Sequence, residues 1–180
     1  MKKILAGLFF ISGIVFMLAC DDGIDYEKLR REELANLKTY IDQVHPGAEP
    51  TASGLYYFNE EGTGEGDTIK LGDQVQIYYA TWLLYVVDEE IDSILIDQTS
   101  GYLDGHRYEP YRFIPGAGNS IAGLEEGITY MQPGSRSKLV INSELAYGQR
   151  GSNDGSVGMF KTLIMEVEVY KVIPIEIPEE

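Results

Sequence analysis

The hydrophobic pattern of this chain changes its period near Leu55, and this change constrains the fold more than any other feature of the sequence. Upstream, Tyr26 to Val44 places apolar side chains at helical spacing between Lys and Glu residues, as an amphipathic helix does. Downstream, short runs rich in β-branched and aromatic residues are separated by Gly and Pro clusters, a pattern typical of strands joined by turns. The sequence therefore predicts one helix followed by a β-rich domain.

Five runs of the β-rich region are predicted as strands, over 55–58, 74–83, 111–114, 137–141 and 162–173. In the last run Leu, Met and Val occupy every second position from 163 to 169, and glutamates occupy positions 166 and 168. This alternation predicts an antiparallel sheet with one face on the core and one face in water. Ser120 to Met131 carries a single apolar stripe and is predicted as a short helix. The fold class is α+β, a sheet closing on one short helix.

An apolar run without charges, Ile4 to Ala19, follows two lysines and ends at Cys20. It is shorter than the roughly 20 residues that a spanning helix needs, so it is interpreted as a secretory signal. Met17-Leu18-Ala19-Cys20 resembles a bacterial lipoprotein signal, which predicts lipidation of Cys20 after cleavage. Because the chain has one cysteine, lipidation would leave no thiol for catalysis or for metal binding. The alternative is an ordinary signal peptide with an incidental cysteine.

These features divide the chain into four parts. We predict a signal peptide over 1–19, an acidic tether with the amphipathic helix and a linker over 20–53, the β-rich domain over 54–173, and a polar tail over 174–180. The helix ends at His45-Pro46-Gly47, which are helix breakers. We expect it to pack on its own domain; a dimerisation stalk is the alternative, although about five turns give little coiled-coil seam.

Acidic residues outnumber basic ones by 29 to 14, giving a formal net charge of −15 at pH 7. Removal of residues 1–19 takes away two lysines and no acid, which leaves −17. Such a body repels nucleic acid and anionic lipid head groups, so no nucleic-acid partner is expected. Membrane contact is assigned to the lipid on Cys20.

The sequence offers no familiar catalytic or cofactor motif. His45 and His106 both occur in predicted loops, away from any candidate nucleophile or metal cluster. Gly116 and Gly118 precede the predicted short helix, but they lack the later glycine spacing and the parallel strand of a dinucleotide site. We therefore predict no metal and no cofactor.

Several separated motifs nevertheless follow one another in order over about Gly54 to Ile173. They are Gly72-Asp73-Gln74-Val75-Gln76-Ile77-Tyr78-Tyr79, Ile96-Asp97, Pro110-Tyr111-Arg112-Phe113, Ile121-Ala122-Gly123-Leu124-Glu125-Glu126-Gly127, Met131 with Pro133-Gly134, Lys138-Leu139-Val140-Ile141, Ala146-Tyr147-Gly148 and Thr162-Leu163-Ile164-Met165-Glu166-Val167-Glu168-Val169. In this order the motifs resemble those of the FKBP-type peptidyl-prolyl cis-trans isomerases. The resemblance implies a curved sheet of five or six antiparallel strands wrapped around the short helix, with an N-terminal helical extension.

The resemblance also implies a substrate pocket between sheet and helix. Its catalytic positions would be Tyr79, Asp97 and Tyr147. Its substrate-binding positions would be Ile96, Tyr111, Phe113, Ser120, Ile121, Leu124, Val157 and Met165. In the family the backbone N–H at the position of Ile121 and the hydroxyl at that of Tyr147 hold the ligand's carbonyls. Core packing is the alternative for each residue; it is strongest for Phe113 and Met165, and weakest for Asp97 because a carboxylate in an apolar wall needs a reason.

The implied function is prolyl isomerisation that assists the folding of exported proteins at the cell envelope. Its partners would be proline-containing unfolded or exported polypeptides, macrolide ligands, and a membrane reached through the lipid on Cys20, at the outer membrane or facing the periplasm. Ile96, Leu124 and Met165 stand where strong catalysts of the family commonly carry aromatic rings, so we predict weak activity. Segments 84–95 and 98–109 are longer than usual for the family, and 149–159 is rich in Gly and Ser. The alternative is a non-catalytic peptide-binding chaperone or assembly factor on the same fold.

Overall fold

The computed structural model describes residues 23–61, 64 and 66–175. In chain order the elements are helix α1 (Tyr26–Val44), strands β1 (Tyr56–Glu61), β2 (Gln74–Val87), β3 (Glu90–Gln98) and β4 (Tyr111–Phe113), helix α2 (Ala122–Ile128), strand β5 (Arg136–Ile141), a 3₁₀ turn (Ser143–Leu145) and strand β6 (Leu163–Ile173). The predicted signal peptide and Cys20 lie outside the described residues, as do residues 176–180 of the tail. None of the helices in the described ranges is long and apolar enough to span a membrane.

The six strands form one antiparallel sheet in the order β1-β5-β6-β2-β3, with β4 paired to β2. Strand β2 organises the sheet because it pairs with β6 along most of its length, with β4 over Val75 to Ile77 and with β3 from Ala80 onward. The predicted α+β class, an antiparallel sheet around a short helix with a helical extension before it, is confirmed.

Strand β3 is the one strand of the described residues that the hydrophobic pattern did not predict. Segment 84–95, interpreted as an insertion, instead prolongs β2 to Val87 and returns as β3. The two residues between the strands, Asp88 and Glu89, both have positive φ, 51° and 66°. A two-residue turn of this kind matches the twist of the paired strands. Neither residue is glycine, so the sequence carried no hairpin signal.

Helix α2 is shorter than the predicted 120–131, because the chain is extended at its entrance and turns after Ile128. Two glycines allow it to lie directly on β5. A Cβ on Gly123 would lie 2.4 Å from Cγ2 of Ile141, and one on Gly127 would lie 2.7 Å from Cδ1 of Leu139. The close approach places the entrance of α2 against the inner face of the sheet.

The inner face of the sheet carries the main core. The alternating apolar residues of β6 are buried there with α2 and with the inward side chains of β2, among them Leu163, Met165, Val167, Val169, Leu124, Ile128, Val75 and Ile77. The alternation predicted for β6 is confirmed.

The outer face is covered rather than wet. Leu37, Tyr40 and Ile41 of α1 are buried against Leu84, Val140 and Ile164 of the sheet. The prediction that one sheet face meets water is therefore wrong over this region, because α1 covers it. The separate prediction that α1 packs on its own domain is confirmed.

Segment 98–109 covers a second part of the outer face. Tyr102 is buried against Tyr78 and Ala80. The Arg107 guanidinium lies over both tyrosine rings, 5.4 Å and 4.7 Å from their centroids, and donates to the Glu168 carboxylate at 2.7 Å. This segment is thus anchored to β6 through an aromatic and ionic contact.

Candidate active site

A cavity of about 470 Å³ lies between the inner face of the sheet and the entrance of α2. Strands β2, β3, β4 and β6 supply one side of it, and the loop before α2, α2 itself and the turn after β5 supply the other. The residues lining it are Tyr79, Thr81, Ile96, Asp97, Tyr111, Gly118, Asn119, Ser120, Ile121, Leu124, Tyr147, Leu163 and Met165. This volume falls within the range of small-ligand sites.

The cavity brings together nine of the eleven predicted site residues. Phe113 and Val157 are not among the lining residues, and both are buried in the main core. Phe113 lies behind the wall, with its ring stacked on that of Tyr111 at a centroid distance of 5.6 Å. The predicted role of Phe113 and Val157 as substrate contacts stays a prediction, and their burial favours the alternative of core packing.

Four lining residues were missed by the sequence analysis. Thr81 and Leu163 each lie two positions from a predicted residue, Tyr79 and Met165, on the same face of a strand. The two-residue period of a strand could have found them. Gly118 and Asn119 lie in the loop before α2, where no periodic signal exists.

A hydrogen bond joins two of the predicted catalytic residues across neighbouring strands. The Tyr79 hydroxyl donates to Oδ2 of Asp97 at 2.6 Å, and the Tyr79 ring meets Tyr111 edge-on at 5.9 Å. Burial and this hydrogen bond raise the pKa of the Tyr79 hydroxyl well above its ordinary value. The hydroxyl therefore stays protonated and holds the carboxylate in place.

Asp97 lies at the solvent-facing rim of the cavity rather than inside an apolar wall. Water and the Tyr79 hydroxyl share its solvation, so its charge needs no buried counter-ion. Exposure to solvent and one short hydrogen bond therefore explain how a carboxylate is tolerated at this position.

Tyr147 lies in the turn that directly follows the 3₁₀ turn, which itself comes after β5. Its side chain lines the cavity and the residue is 40% exposed, so the hydroxyl is available to a ligand at the mouth. Partial burial, followed by the negative charge of Asp97, raises the pKa of this hydroxyl. It is therefore a hydrogen-bond donor throughout the neutral range.

The entrance to α2 supplies a backbone donor. Ile121 has extended dihedral angles, φ −69° and ψ 144°, and no hydrogen bond between described residues engages its N–H. The preceding loop is held by Glu125, whose carboxylate accepts from the backbone N–H groups of Gly116 at 3.1 Å and Ser120 at 3.2 Å. Glu125 is a supporting residue that the sequence analysis did not single out as such.

The depth of the cavity is aliphatic. Leu124, Leu163 and Met165 are buried at its base, and Ile96 is half-buried on its wall. No group of His, Cys, Asp and Glu within the described ranges has the arrangement of a metal site. The arrangement suits a peptide segment whose apolar part enters the cavity while its carbonyl groups meet donors at the mouth.

Comparison with known proteins assigns the family. The sequence profile of the FKBP-type peptidyl-prolyl cis-trans isomerases matches residues 66–170. The chain belongs to this family. Its class of activity is peptidyl-prolyl isomerisation, as the names of its FKBP-type relatives state.

Individual FKBP relatives differ in how much of their own length this chain spans. The chain is 30% identical over 127 residues to an FK506-binding protein of Streptomyces anulatus, covering 71% of this chain and 92% of that protein. It is 34% identical over 127 residues to the FKBP-type 22 kDa peptidyl-prolyl cis-trans isomerase of Escherichia coli, covering 71% of this chain and 54% of that protein.

Solved structures share the fold. FkpA from Escherichia coli superimposes with a TM-score of 0.61 at 29% identity, over 83% of this chain and 63% of that one. A peptidyl-prolyl cis-trans isomerase from Pseudomonas syringae pv. tomato gives a TM-score of 0.63 at 22% identity, over 84% of this chain and 98% of that one. At that identity the second match shows the fold alone.

Proposed function

We propose that the cavity binds the proline of an unfolded or exported polypeptide and accelerates rotation about the preceding amide bond. The observation that carries this proposal is the division of the cavity into an aliphatic base and a mouth with two donors, the Tyr147 hydroxyl and the Ile121 N–H. Such a cavity accepts a proline ring and can hold a carbonyl group on either side of it.

The chemistry follows from the amide itself. Resonance between nitrogen and carbonyl imposes a rotational barrier of about 18–20 kcal/mol. A twisted amide has lost that resonance and is less dipolar than the planar form, so an apolar site disfavours the planar ground state more than the transition state. Hydrogen bonds that hold the flanking chain in the twisted geometry add differential binding of the transition state. No general base, nucleophile or metal takes part.

Each polar residue has a distinct role in this proposal. Tyr147 donates to a substrate carbonyl, and its raised pKa keeps the proton on the hydroxyl. Tyr79 and Asp97 hold each other, and the edge-on contact of Tyr79 with Tyr111 makes a stiff aromatic wall for the ring of the substrate proline.

The experiment is a cis-trans assay on a series of X-Pro peptides. We expect Tyr147→Phe and Asp97→Ala each to lower kcat/KM without changing the thermal unfolding midpoint by more than a few degrees. Phe113→Leu, a change in the core behind the wall, is the matched control and should leave kcat/KM within about twofold. Loss of activity in the control but not in Tyr147→Phe would place the active site elsewhere.

Members of this family bind proline-containing peptides and FK506-type macrolides, and the same cavity is proposed to take both. A macrolide should compete with the peptide because both need the aliphatic base and the donors at the mouth. Titration with FK506 should shift the signals of cavity residues and abolish turnover together. Binding of FK506 that leaves turnover intact would separate the two sites.

We further propose that the protein acts at the cell envelope, anchored by a lipid on Cys20. The support is in the sequence, where an apolar run with two preceding lysines ends at that cysteine. Full-length protein produced in a bacterial host should incorporate labelled fatty acid and fractionate with membranes, and Cys20→Ser should release it. A soluble, unlabelled wild-type protein would contradict the anchor.

Holding unfolded chains without catalysis is the second candidate function, and the β2–β3 hairpin favours it. Ile94 pairs with Leu83 of the main core, so its side chain lies on the cavity face of the sheet, yet it is more than half exposed. Suppression of client aggregation should fall in Ile94→Ser. Leu95→Ser, which changes the neighbouring side chain on the opposite face, is the control.

A further inference from the structure

Glu33 is a buried carboxylate that joins α1 to the segments carrying the cavity. The residue is 4% exposed. Its oxygens accept from the backbone N–H of Ser143 at 2.6 Å, the hydroxyl of Ser143 at 2.7 Å and the hydroxyl of Thr162 at 3.1 Å. The Arg30 guanidinium pairs with it at 2.5 Å.

Packing of the helix does not by itself explain this carboxylate. Removing a charge from water is costly, and replacing a buried ion pair with apolar side chains of similar volume is often neutral or stabilising. The neighbouring turns of α1 already pack through Leu37, Tyr40 and Ile41. We therefore ask which groups the buried Glu33 carboxylate holds in position, and its hydrogen-bond partners are Ser143 and Thr162.

The first partner leads to Tyr147. Ser143 begins the 3₁₀ turn, and its carbonyl accepts from the N–H groups of Ala146 at 3.0 Å and Gly148 at 2.7 Å. These two residues flank Tyr147 in the chain. Glu33 thus accepts hydrogen bonds from the N–H and the hydroxyl of Ser143. The carbonyl of Ser143 in turn holds the backbone on both sides of Tyr147.

The second partner leads to the opposite wall. Thr162 immediately precedes β6, whose Leu163 and Met165 line the cavity. The carbonyl of Thr162 also accepts from the N–H of Leu84 in β2 at 3.1 Å. One buried carboxylate of the N-terminal helix therefore connects the turn that carries Tyr147 to the strand at the base of the cavity.

We propose that Glu33 is a positioning residue of the isomerase site, setting the distance between the Tyr147 hydroxyl and the cavity base through Ser143 and Thr162. The proposal rests on the proposed function of Tyr147 as the donor to a substrate carbonyl. It makes α1 a working part of the active site. Small misplacements of a catalytic group lower rates by large factors, so loss of this link should be visible in turnover.

The test compares two changes in the same helix, measured below the unfolding transition of every variant. Glu33→Gln removes the charge and one acceptor. Leu37→Ala destabilises the packing of α1 on the sheet, in the cluster with Leu84, Val140 and Ile164. We expect Glu33→Gln to lower kcat/KM by about tenfold and Leu37→Ala to change it by less than about twofold. Equal losses in both variants would mean that Glu33 only holds the helix.

A double-mutant cycle with Tyr147→Phe tests whether the effect passes through Tyr147. If it does, Glu33→Gln should lower kcat/KM by less than about twofold in the Tyr147→Phe background. A full tenfold loss in that background would overturn the proposal. Should Glu33→Gln fail to fold, Ser143→Ala and Thr162→Val take its place, because each removes one hydrogen bond to the carboxylate. Their effects on kcat/KM are then measured with and without Tyr147→Phe.

A readout independent of activity separates this proposal from the proposed function. In protein labelled with 3-fluorotyrosine, the ¹⁹F signal of Tyr147, assigned by its absence in Tyr147→Phe, should shift or broaden in Glu33→Gln and stay in place in Leu37→Ala. An unmoved signal in Glu33→Gln contradicts the positioning role. A wild-type protein without turnover but with the expected shifts would refute the proposed function and leave the link between Glu33 and Tyr147 standing.

Discussion

Single residues divide the candidate active site into a polar mouth and an aliphatic interior. The hydroxyls of Tyr79 and Tyr147 and the carboxylate of Asp97 lie at the mouth. Burial, and after it the neighbouring Asp97 carboxylate, raises the pKa of both hydroxyls. Leu124 and Met165 lie at the base. The polar residues decide how a peptide is oriented, and the interior decides how strongly its proline ring is held.

Restoring aromatic walls should raise turnover. An aromatic contact is worth about 0.5–1.5 kcal/mol beyond burial, so three independent gains of about 1 kcal/mol each correspond to about two powers of ten in kcat/KM. The variant combines Ile96→Phe, Leu124→Trp and Met165→Phe, and the measurement is kcat/KM on X-Pro peptides. Val157→Ile, a change in the core outside the cavity, is the control. A folded triple variant without any gain would show that aliphatic walls do not limit the rate.

His45 should make stability depend on pH. Its ring is stacked on Phe58 at 3.8 Å, and its Nε2 is buried with no hydrogen-bond partner among the described residues. Burial, and then the charge of Lys138, lowers the pKa of the imidazole from its ordinary value of 6.5. The unfolded chain then binds the proton more readily, so the free energy of unfolding should decrease as pH falls below about 6.5.

Urea unfolding between pH 7.5 and pH 5.5 measures this contribution. Other groups titrate in the same interval, so the relevant quantity is the difference in slope between the wild type and His45→Gln. We expect a smaller loss of stability in the variant. Equal slopes would mean that the folded protein accepts the proton on His45 without cost.

Among the helices and strands, those with clear local signals, such as caps, helix breakers or alternating apolar residues, were predicted from the sequence. Helix α1 has the predicted bounds because Asp25 caps its first turn and His45-Pro46-Gly47 end it. Strand β6 has the predicted apolar residues at 163, 165, 167 and 169 on one face, and its bounds were predicted within one residue. Strand β3 was missed because it lies at the sheet edge, carries mostly exposed side chains and follows a turn without glycine.

Close packing of α2 on β5 predicts an inverted effect of a helix-favouring substitution. Replacing Gly by Ala in an exposed helix interior usually stabilises by about 1 kcal/mol. At Gly127 the new Cβ would lie 2.7 Å and 2.8 Å from the two Cδ atoms of Leu139, and overpacking of this kind costs about 1–3 kcal/mol. We expect Gly127→Ala to lower the unfolding midpoint. A rise in the midpoint would show that the Leu139 side chain moves freely out of the way.

Over the whole molecule, the two faces of the sheet have different roles. The inner face forms the core and the candidate active site with α2, and the outer face is covered by α1 and by segment 98–109. Motif resemblance was enough to predict most of the cavity, because nine of its lining residues were predicted from positions within the quoted motifs or beside them. It could not predict the covered outer face, since α1 lies outside the resembling region and segment 98–109 carries no quoted motif.

Removing α1 should weaken the domain without abolishing its fold. A fragment from Thr51 to Ile173 keeps all six strands and α2 but exposes Leu84, Val140 and Ile164 to water. Each fully buried side chain of this size contributes about 1.5–3 kcal/mol, so the three together contribute about 5–9 kcal/mol. The fragment no longer loses the conformational entropy of ordering the helix, which offsets part of this loss. We therefore expect a cooperative transition with a free energy of unfolding lower by about 3–5 kcal/mol. Chemical denaturation of the fragment and the full chain checks this. Identical midpoints would show that the helix adds nothing to stability.

The most direct test of the account is the exchange rate of one X-Pro peptide between its cis and trans forms, measured by two-dimensional NMR with a substoichiometric amount of protein. We predict that the wild type accelerates exchange, that Tyr147→Phe reduces the acceleration, and that one equivalent of FK506 per protein abolishes it. Exchange at the uncatalysed rate with both the wild type and the variant carrying the three aromatic replacements would contradict the central claim that this cavity isomerises prolyl bonds.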